Sequence, residues 1–191
     1  MPKALPIVVG VSGASGAPIA LAVLRGLHNA HVPVSLVISH GAAAVLKEEC
    51  GMQPSDLERY ARRTFADDDL GAPLASGSNL TRGMVIVPCS SNTLARVALG
   101  LGDTLLTRAA QVHLKEHRPL VVVPRETPLN PLLLRHMTTL AELGVVVLIA
   151  SPGYYTHPRS VDEMTNFVAG RVLDQWGITH HLYPRWKAGE S

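Results

Sequence analysis

A chain of 191 residues with formal net charge +2 is long enough for one substantial core and too weakly basic to serve nucleic acid. Charged residues make up 17% of it, against about 25% in an ordinary domain, while 47% are hydrophobic, so a homo-oligomer that buries further surface is expected. The longest apolar run is strand-length, the two cysteines (Cys50 and Cys89) lack Cys-x-x-Cys spacing, the nine histidines lack metal-ligand spacing, and the first residues lack a signal-peptide layout; a reduced, cytoplasmic protein without metal or membrane partner is expected.

Ile7 to Val11 reads as a buried strand, and Ala17 to Leu27 as a helix with an apolar stripe of Ala20, Val23, Leu24 and Leu27. Between them lies Gly10-Val11-Ser12-Gly13-Ala14-Ser15-Gly16. A strand turning through small residues into a helix N-terminus aims backbone N–H groups at one point, a ready anion site, unless the turn is simply tight and holds no ligand. Aligned on Gly13 and Gly16, a dinucleotide fingerprint would need glycine where Val11 stands, and a carboxylate after the second strand. That strand, Val34 to Ile38, runs instead into Ser39 and His40. A Walker loop is excluded by Ala17 and Pro18 after Gly16, leaving a mononucleotide phosphate or a similar small anion.

Phe65 to Arg82 has weak periodicity and contains Asp67-Asp68-Asp69 and Ala75-Ser76-Gly77-Ser78; it reads as a solvated loop or an active-site lid. Strands follow at Met84 to Val87, Leu120 to Val123 and Val145 to Ala150, with a helical stripe of Leu105, Ala109 and Val112 between the first two. Asn130 before Pro131 marks a helix start; Ser160 and Glu163 read as a capping box before another helix, which ends near Trp176 with Gly177 as its stop. Five strands alternating with helices predict a single-domain α/β fold, Rossmann-like or flavodoxin-like, with a doubly wound parallel sheet and its ligand outside the strands' carboxyl ends. Residues 178–191 read as a tail packed on the site or on a neighbouring subunit.

The strand-end segments, taken together and in order, resemble the UbiX-type flavin prenyltransferases. The matching motifs are the glycine-serine turn, Ala75-Ser76-Gly77-Ser78, Pro88-Cys89-Ser90 leading to Thr93-Leu94, Leu106-Thr107-Arg108-Ala109-Ala110 and Leu114-Lys115-Glu116-His117-Arg118-Pro119-Leu120. They continue through Pro124-Arg125-Glu126-Thr127-Pro128, Pro152-Gly153-Tyr154-Tyr155 and Pro184-Arg185-Trp186, so the likeness spans nearly the whole chain. It implies an enzyme that joins a dimethylallyl group from dimethylallyl phosphate to N5 and C6 of reduced FMN, without metal. The product, prenylated FMN, would serve a UbiD-type decarboxylase, and the assembly typical of the family is a dodecamer.

The same resemblance implies FMN contacts at Gly13, Ala14, Ser15, Ser39, Ser90, Ser91, Asn92, Thr93 and Arg125. It implies prenyl-phosphate contacts at Tyr155 and Arg171, and an aromatic, Trp186, near the prenyl group. Glu126, Ser15, Lys115 and Glu49 are the implied catalytic residues. The chemistry is consistent with this: cleaving an allylic C–O bond needs cations and hydroxyls around the leaving oxygens, and Glu126 can carry protons. Cys89 is assigned to packing. Asn92 departs from the prenyltransferase form toward the related FMN-dependent cysteine decarboxylases, the rival reading. Those resemble one another in a catalytic histidine before the third strand, and this chain has no histidine between His40 and His113. A flavin carrier without chemistry of its own fits poorly with the basic pI of about 8.7. Pro18 sits in the first helix turn, where the family often has an aromatic following, and Leu70 and Asn79 stand where it commonly has aromatics.

Overall fold

A strand that is apolar on both faces needs helices on both sides of its sheet. The computed structural model, which describes residues 4–186, has that arrangement. Six strands, β1 (Ile7–Val11), β2 (Val34–Ile38), β3 (Arg63–Ala66), β4 (Gly83–Cys89), β5 (Leu120–Pro124) and β6 (Val146–Val147), form one sheet in the order β3-β2-β1-β4-β5-β6. Every neighbouring pair is parallel. The strand order reverses between β1 and β4, the switch point at which such sheets bind ligands.

Six α-helices cover the sheet: α1 (Ala17–Asn29), α2 (His40–Cys50), α3 (Ser91–Ala98), α4 (Leu105–Lys115), α5 (Pro131–Glu142) and α6 (Val161–Asp174). Alternation along each strand divides the interior in two. Val9, Val11, Leu36, Val85, Val87, Val121 and Val123 pack with α1, α2 and α6. Val8, Val37, Met84, Ile86 and Val122 pack with α3, α4 and α5. The stripe of Ala20, Val23, Leu24 and Leu27 is buried, as is that of Leu105, Ala109 and Val112.

The helix punctuation operates as written in the sequence. Asn130 Oδ1 accepts the Leu133 N–H at 2.9 Å, Ser160 Oγ accepts that of Glu163 at 3.2 Å, and Gly177 has φ 61° beyond α6. The Glu163 carboxylate reaches one residue further back than a capping box, taking the Arg159 N–H at 2.7 Å.

Two departures occur at the sheet edges. The fifth expected strand, Val145 to Ala150, pairs as a strand only over Val146–Val147, although Leu148 and Ala150 still donate to the carbonyls of Val122 and Pro124. At the other edge, β3 is a strand the periodicity did not reveal. Only Phe65 of its four residues is buried, and the Arg63 guanidinium lies 4.5 Å from the Phe65 ring centroid, the polar dress of an edge strand.

Of the rest of the segment to Arg82, Asp67 lines the strand-end cleft, and the remainder runs on past it. It makes a 3-10 turn at Pro73–Ala75 and then follows α4 toward the start of β4. Arg118 donates to the carbonyls of Gly77 (2.5 Å) and Asn79 (2.8 Å). Buried His113 gives its Nδ1 hydrogen to the Ala109 carbonyl and accepts from the Thr81 hydroxyl at 2.8 Å. Burial holds the His113 pKa below its ordinary value, in keeping with a neutral structural ring.

Candidate active site

Ser12 ties the two halves of the sheet together. Its buried hydroxyl donates to the Pro88 carbonyl at 2.9 Å and accepts the Ser90 N–H at 2.7 Å, locking the end of β1 to the end of β4. Next to it Gly13 lies against Gly41 at the start of α2; a Cβ on Gly13 would stand 2.9 Å from the Gly41 carbonyl carbon. Only glycine permits that approach. Ser90 caps α3, accepting the Thr93 N–H and donating to its hydroxyl at 2.9 Å.

These turns wall a cleft of about 360 Å³ lined by Gly13, Ser39, Gly41, Ser90, Asn92 and Thr93, together with His40, Asp67, Arg96, Thr104, Leu106 and Thr107. That volume lies within the range of small-ligand sites. Hydroxyls, an amide and a guanidinium are the donor set that suits a ribityl chain and a phosphate, so the cleft fits a flavin mononucleotide. Sequence reading missed Asp67, Arg96, Thr104 and Thr107. Thr104 and Thr107 form a reciprocal cap on α4, a Thr-x-x-Thr pattern that the sequence carries openly. Asp67 accepts the Leu106 N–H and so joins β3 to that cap, but an unrecognised strand offers no reason to look there.

The α1 N-terminus, the expected anion site, has an internal occupant. Gly16 has φ 115° and no side chain with which to cap the helix, and Glu49 supplies the missing acceptor from the far end of α2. One carboxylate oxygen takes the N–H groups of both Gly16 and Ala17 at 2.9 Å. Burial works to raise the Glu49 pKa, but hydrogen bonds from the Ser15 hydroxyl and those two N–H groups outweigh it, aided by nearby Arg125, and hold it below the ordinary value. Arg125 also donates to the Ser15 carbonyl at 3.3 Å.

Glu126 completes the group. Ser91 donates to its Oε2 at 2.8 Å and the Thr127 N–H to its Oε1 at 3.1 Å; these bonds, the Ser91 one foremost, lower its pKa. Ser15, Glu49, Ser91, Arg125 and Glu126 therefore form two carboxylates with their donors, beside the cleft. Cys89 is fully buried under it, and burial pushes its thiol well above the usual range, which makes it packing rather than a nucleophile.

The remaining expected residues lie elsewhere on the chain. Tyr155, in the 3-10 turn Tyr154–Thr156 after β6, meets Phe167 and Trp186 edge-on at 5.8 and 5.0 Å between centroids, and Arg171 donates to Asp174 and Tyr183; this second patch joins that turn to α6 and the tail. Lys115 ends α4, about 12 Å of helix beyond Thr107, the last residue of that helix to line the cleft. It is largely exposed, pairs with Glu116 at 2.7 Å, and sits beside Gly77. Within one chain it is not part of the cleft. Of the tail, Ile178 and Tyr183 are buried against α6, and residues 187–191 lie outside the described residues. Among the described residues, no group of His, Cys, Asp and Glu could hold a metal ion, and no helix is long and apolar enough to cross a membrane.

The family described as Flavoprotein matches residues 1–173. The flavin prenyltransferase UbiX of Thermoplasma acidophilum is 49% identical over 182 residues, covering 94% of this chain and 99% of its own. Among solved structures, a dodecameric FMN-dependent UbiX-like decarboxylase from Escherichia coli O157:H7 superposes with a TM-score of 0.94 at 39% identity, covering 96% of this chain and all of its own. A UbiX protein in complex with FMN and dimethylallyl pyrophosphate gives 0.95 at 36% identity, covering 97% and 99%. The FMN-dependent cysteine decarboxylase TvaF, at 18% identity and a TM-score of 0.62, shares the fold alone. From these likenesses, which run nearly the whole length, the chain belongs to the flavoprotein family and stands within it among the UbiX flavin prenyltransferases.

Proposed function

We propose that this chain is a flavin prenyltransferase that joins the dimethylallyl group of dimethylallyl phosphate to N5 and C6 of reduced FMN. The observation that carries this reading is the paired-carboxylate group, Glu49 with Ser15 and Arg125 and Glu126 with Ser91, beside the flavin-sized cleft of a chain 49% identical to a UbiX enzyme. Gly13, Ala14, Ser15, Ser39, Ser90, Ser91, Asn92, Thr93 and Arg125 would hold the flavin, which supplies N5 and C6 as the two nucleophilic positions.

Hydrogen bonding keeps Glu126 a carboxylate before reaction, so its first task is that of a base. It takes the proton released at N5 as the new C–N bond forms, while the phosphate leaves with the C–O electron pair. Returning that proton to the allylic double bond permits closure onto C6, and the C6 proton departs with the phosphate. The balance is one five-carbon unit gained by the flavin and one hydrogen phosphate released. Tyr155, Arg171 and Lys115 would neutralise the leaving oxygens, with Trp186 beside the prenyl chain. Because Lys115 lies away from the cleft of its own chain, we place each complete site where subunits of a homo-oligomer meet, as a dodecamer like the E. coli relative would provide. The tail then packs at that boundary. The protein would work in the cytoplasm and pass its product to a UbiD-type decarboxylase.

Anaerobic incubation with reduced FMN and dimethylallyl phosphate, chelator present, tests the reading. Mass spectrometry should find a flavin heavier by one five-carbon unit. No adduct, together with carbon dioxide release from cysteine-terminated peptides, would transfer the assignment to the decarboxylases.

A further inference from the structure

The geometry points to Asp174 as a positioning residue that aims Arg171 at the prenyl phosphate by clamping it and the C-terminal tail to one carboxylate. This rests on the reading of Arg171 as a phosphate contact. Asp174 follows Arg171 by one helical turn on α6, and its side chain is only 16% exposed, against 49% for Arg171. Four side chains converge on it. Oδ2 accepts from Tyr183 Oη at 2.5 Å, Arg185 Nη1 at 2.8 Å and Arg171 Nη1 at 3.2 Å. Oδ1 accepts from Arg185 Nη2 at 2.6 Å and His180 Nε2 at 3.0 Å. Because His180 Nδ1 accepts the Leu182 N–H, its hydrogen is on Nε2 and points to Asp174. Tyr183 Oη in turn accepts from Arg171 at 3.4 Å and from Arg185 at 2.6 Å, so Arg171 is held from two sides.

A second observation shows the site to be built for this closure. A Cβ on Gly170 would stand 2.5 Å from Tyr183 Cδ1 and 2.7 Å from His180 Cε1, so glycine at this position of α6 is what lets the tail press onto the helix. Two guanidiniums face one carboxylate, which leaves the cluster net positive. Arg185 meets Asp174 with both of its Nη atoms, whereas Arg171 lends one, keeping the rest of its planar donor fork for an anion.

Steady-state kinetics of the whole oligomer test this, with donor concentration varied at saturating reduced FMN. Net charge alone predicts that removing Asp174 tightens the grip on phosphate. Positioning predicts the reverse: Asp174→Asn should raise KM for dimethylallyl phosphate about tenfold, leave kcat within about threefold and leave FMN affinity unchanged, with Asp174→Glu recovering part of the loss. Arg171→Ala is measured beside it. In the Arg171→Ala background, Asp174→Asn should add almost nothing, since it acts through the residue already gone. Arg185→Ala, which loosens the tail but keeps the Arg171–Asp174 contact, should raise KM less than Asp174→Asn does. If Arg171→Ala leaves the donor KM unchanged, the phosphate reading of Arg171 fails and takes the positioning role with it. If Arg171→Ala raises KM but Asp174→Asn lowers it, leaves it unchanged, or adds its full effect in the double variant, the positioning role alone is overturned.

Discussion

The strand-end group beside the cleft and the α6–tail patch both centre on carboxylates, yet they are built from opposite materials. In the first, Glu49 and Glu126 are satisfied by neutral donors, namely hydroxyls and backbone N–H groups, with Arg125 close by. In the patch, Asp174 is surrounded by cationic and aromatic side chains; burial works to raise its pKa, and Arg185, Tyr183 and His180 pull it far below the ordinary value. Neutral donors leave a carboxylate able to exchange a proton, whereas a pair of guanidiniums fixes it as an anion. The first arrangement suits acid–base work and the second suits holding other groups in place. Glu126→Gln tests the first half of that division, as Asp174→Asn tests the second.

The largest effect is expected at Glu126. Glu126→Gln keeps the shape and can still accept from Ser91, but cannot take a proton. Prenylation should slow by roughly 10²–10⁴-fold with FMN binding intact, read by anaerobic single-turnover mass analysis alongside a flavin titration. An adduct formed at the parent rate would remove Glu126 from the chemistry.

Next comes the separation of Lys115 from the cleft. Lys115→Ala and Glu126→Gln should each be poorly active alone. If the lysine is supplied by another subunit, 1:1 mixed oligomers regain about a quarter of the parent activity, because a quarter of the sites draw an intact cleft and an intact lysine from different chains. Mixed oligomers no more active than the better parent variant would place Lys115 outside the reaction or within its own chain's site.

That separation marks the limit of what the sequence discloses. Runs of Val and Ile with Gly-Ser punctuation report local periodicity and burial, so β1, β2 and the caps at Asn130 and Ser160 are read almost to the residue. Edge strands carry a weaker signal. Arg63-Thr64-Phe65-Ala66 buries one side chain, and β6 pairs over two residues where the apolar run has six. The cleft was legible because a turn, a cap and a strand end are each local features that topology then gathers at the switch point. The occupancy of the α1 N-terminus by Glu49 was not, since nothing local links Gly16 to a residue 33 positions on. The same holds for Asp174, three of whose four partners come from a tail that must first fold back over Gly170.

A smaller effect, on stability, follows from Glu49. Its folded pKa is lowered, so its contribution is fully present above the unfolded glutamate value of about 4.3 and is lost as pH falls through the folded value. A charge at a helix N-terminus contributes about 0.3–1 kcal/mol. Glu49→Gln should therefore lower the thermal midpoint by a few degrees or less at pH 7, and the two proteins should converge as pH drops below about 4. A gap that widens on acidification would mean that the carboxylate is not what caps α1.

The smallest effect on the prenylation rate is expected at Cys89, although it lies next to Ser90, which lines the cleft. Its side chain packs with the α3, α4 and α5 side of the core, and burial keeps the thiol protonated, whereas attack or oxidation requires the thiolate. Cys89→Ala removes one buried sulfur and should cost about 1 kcal/mol of stability. The prenylation rate should stay within about twofold of the parent, and iodoacetamide should label Cys50 but not Cys89 in the native protein, because Cys50 is only partly buried. A tenfold or greater loss of rate with unchanged FMN binding would make Cys89 a participant in the reaction, and the contrast would then have to be redrawn with a thiol on the cleft side.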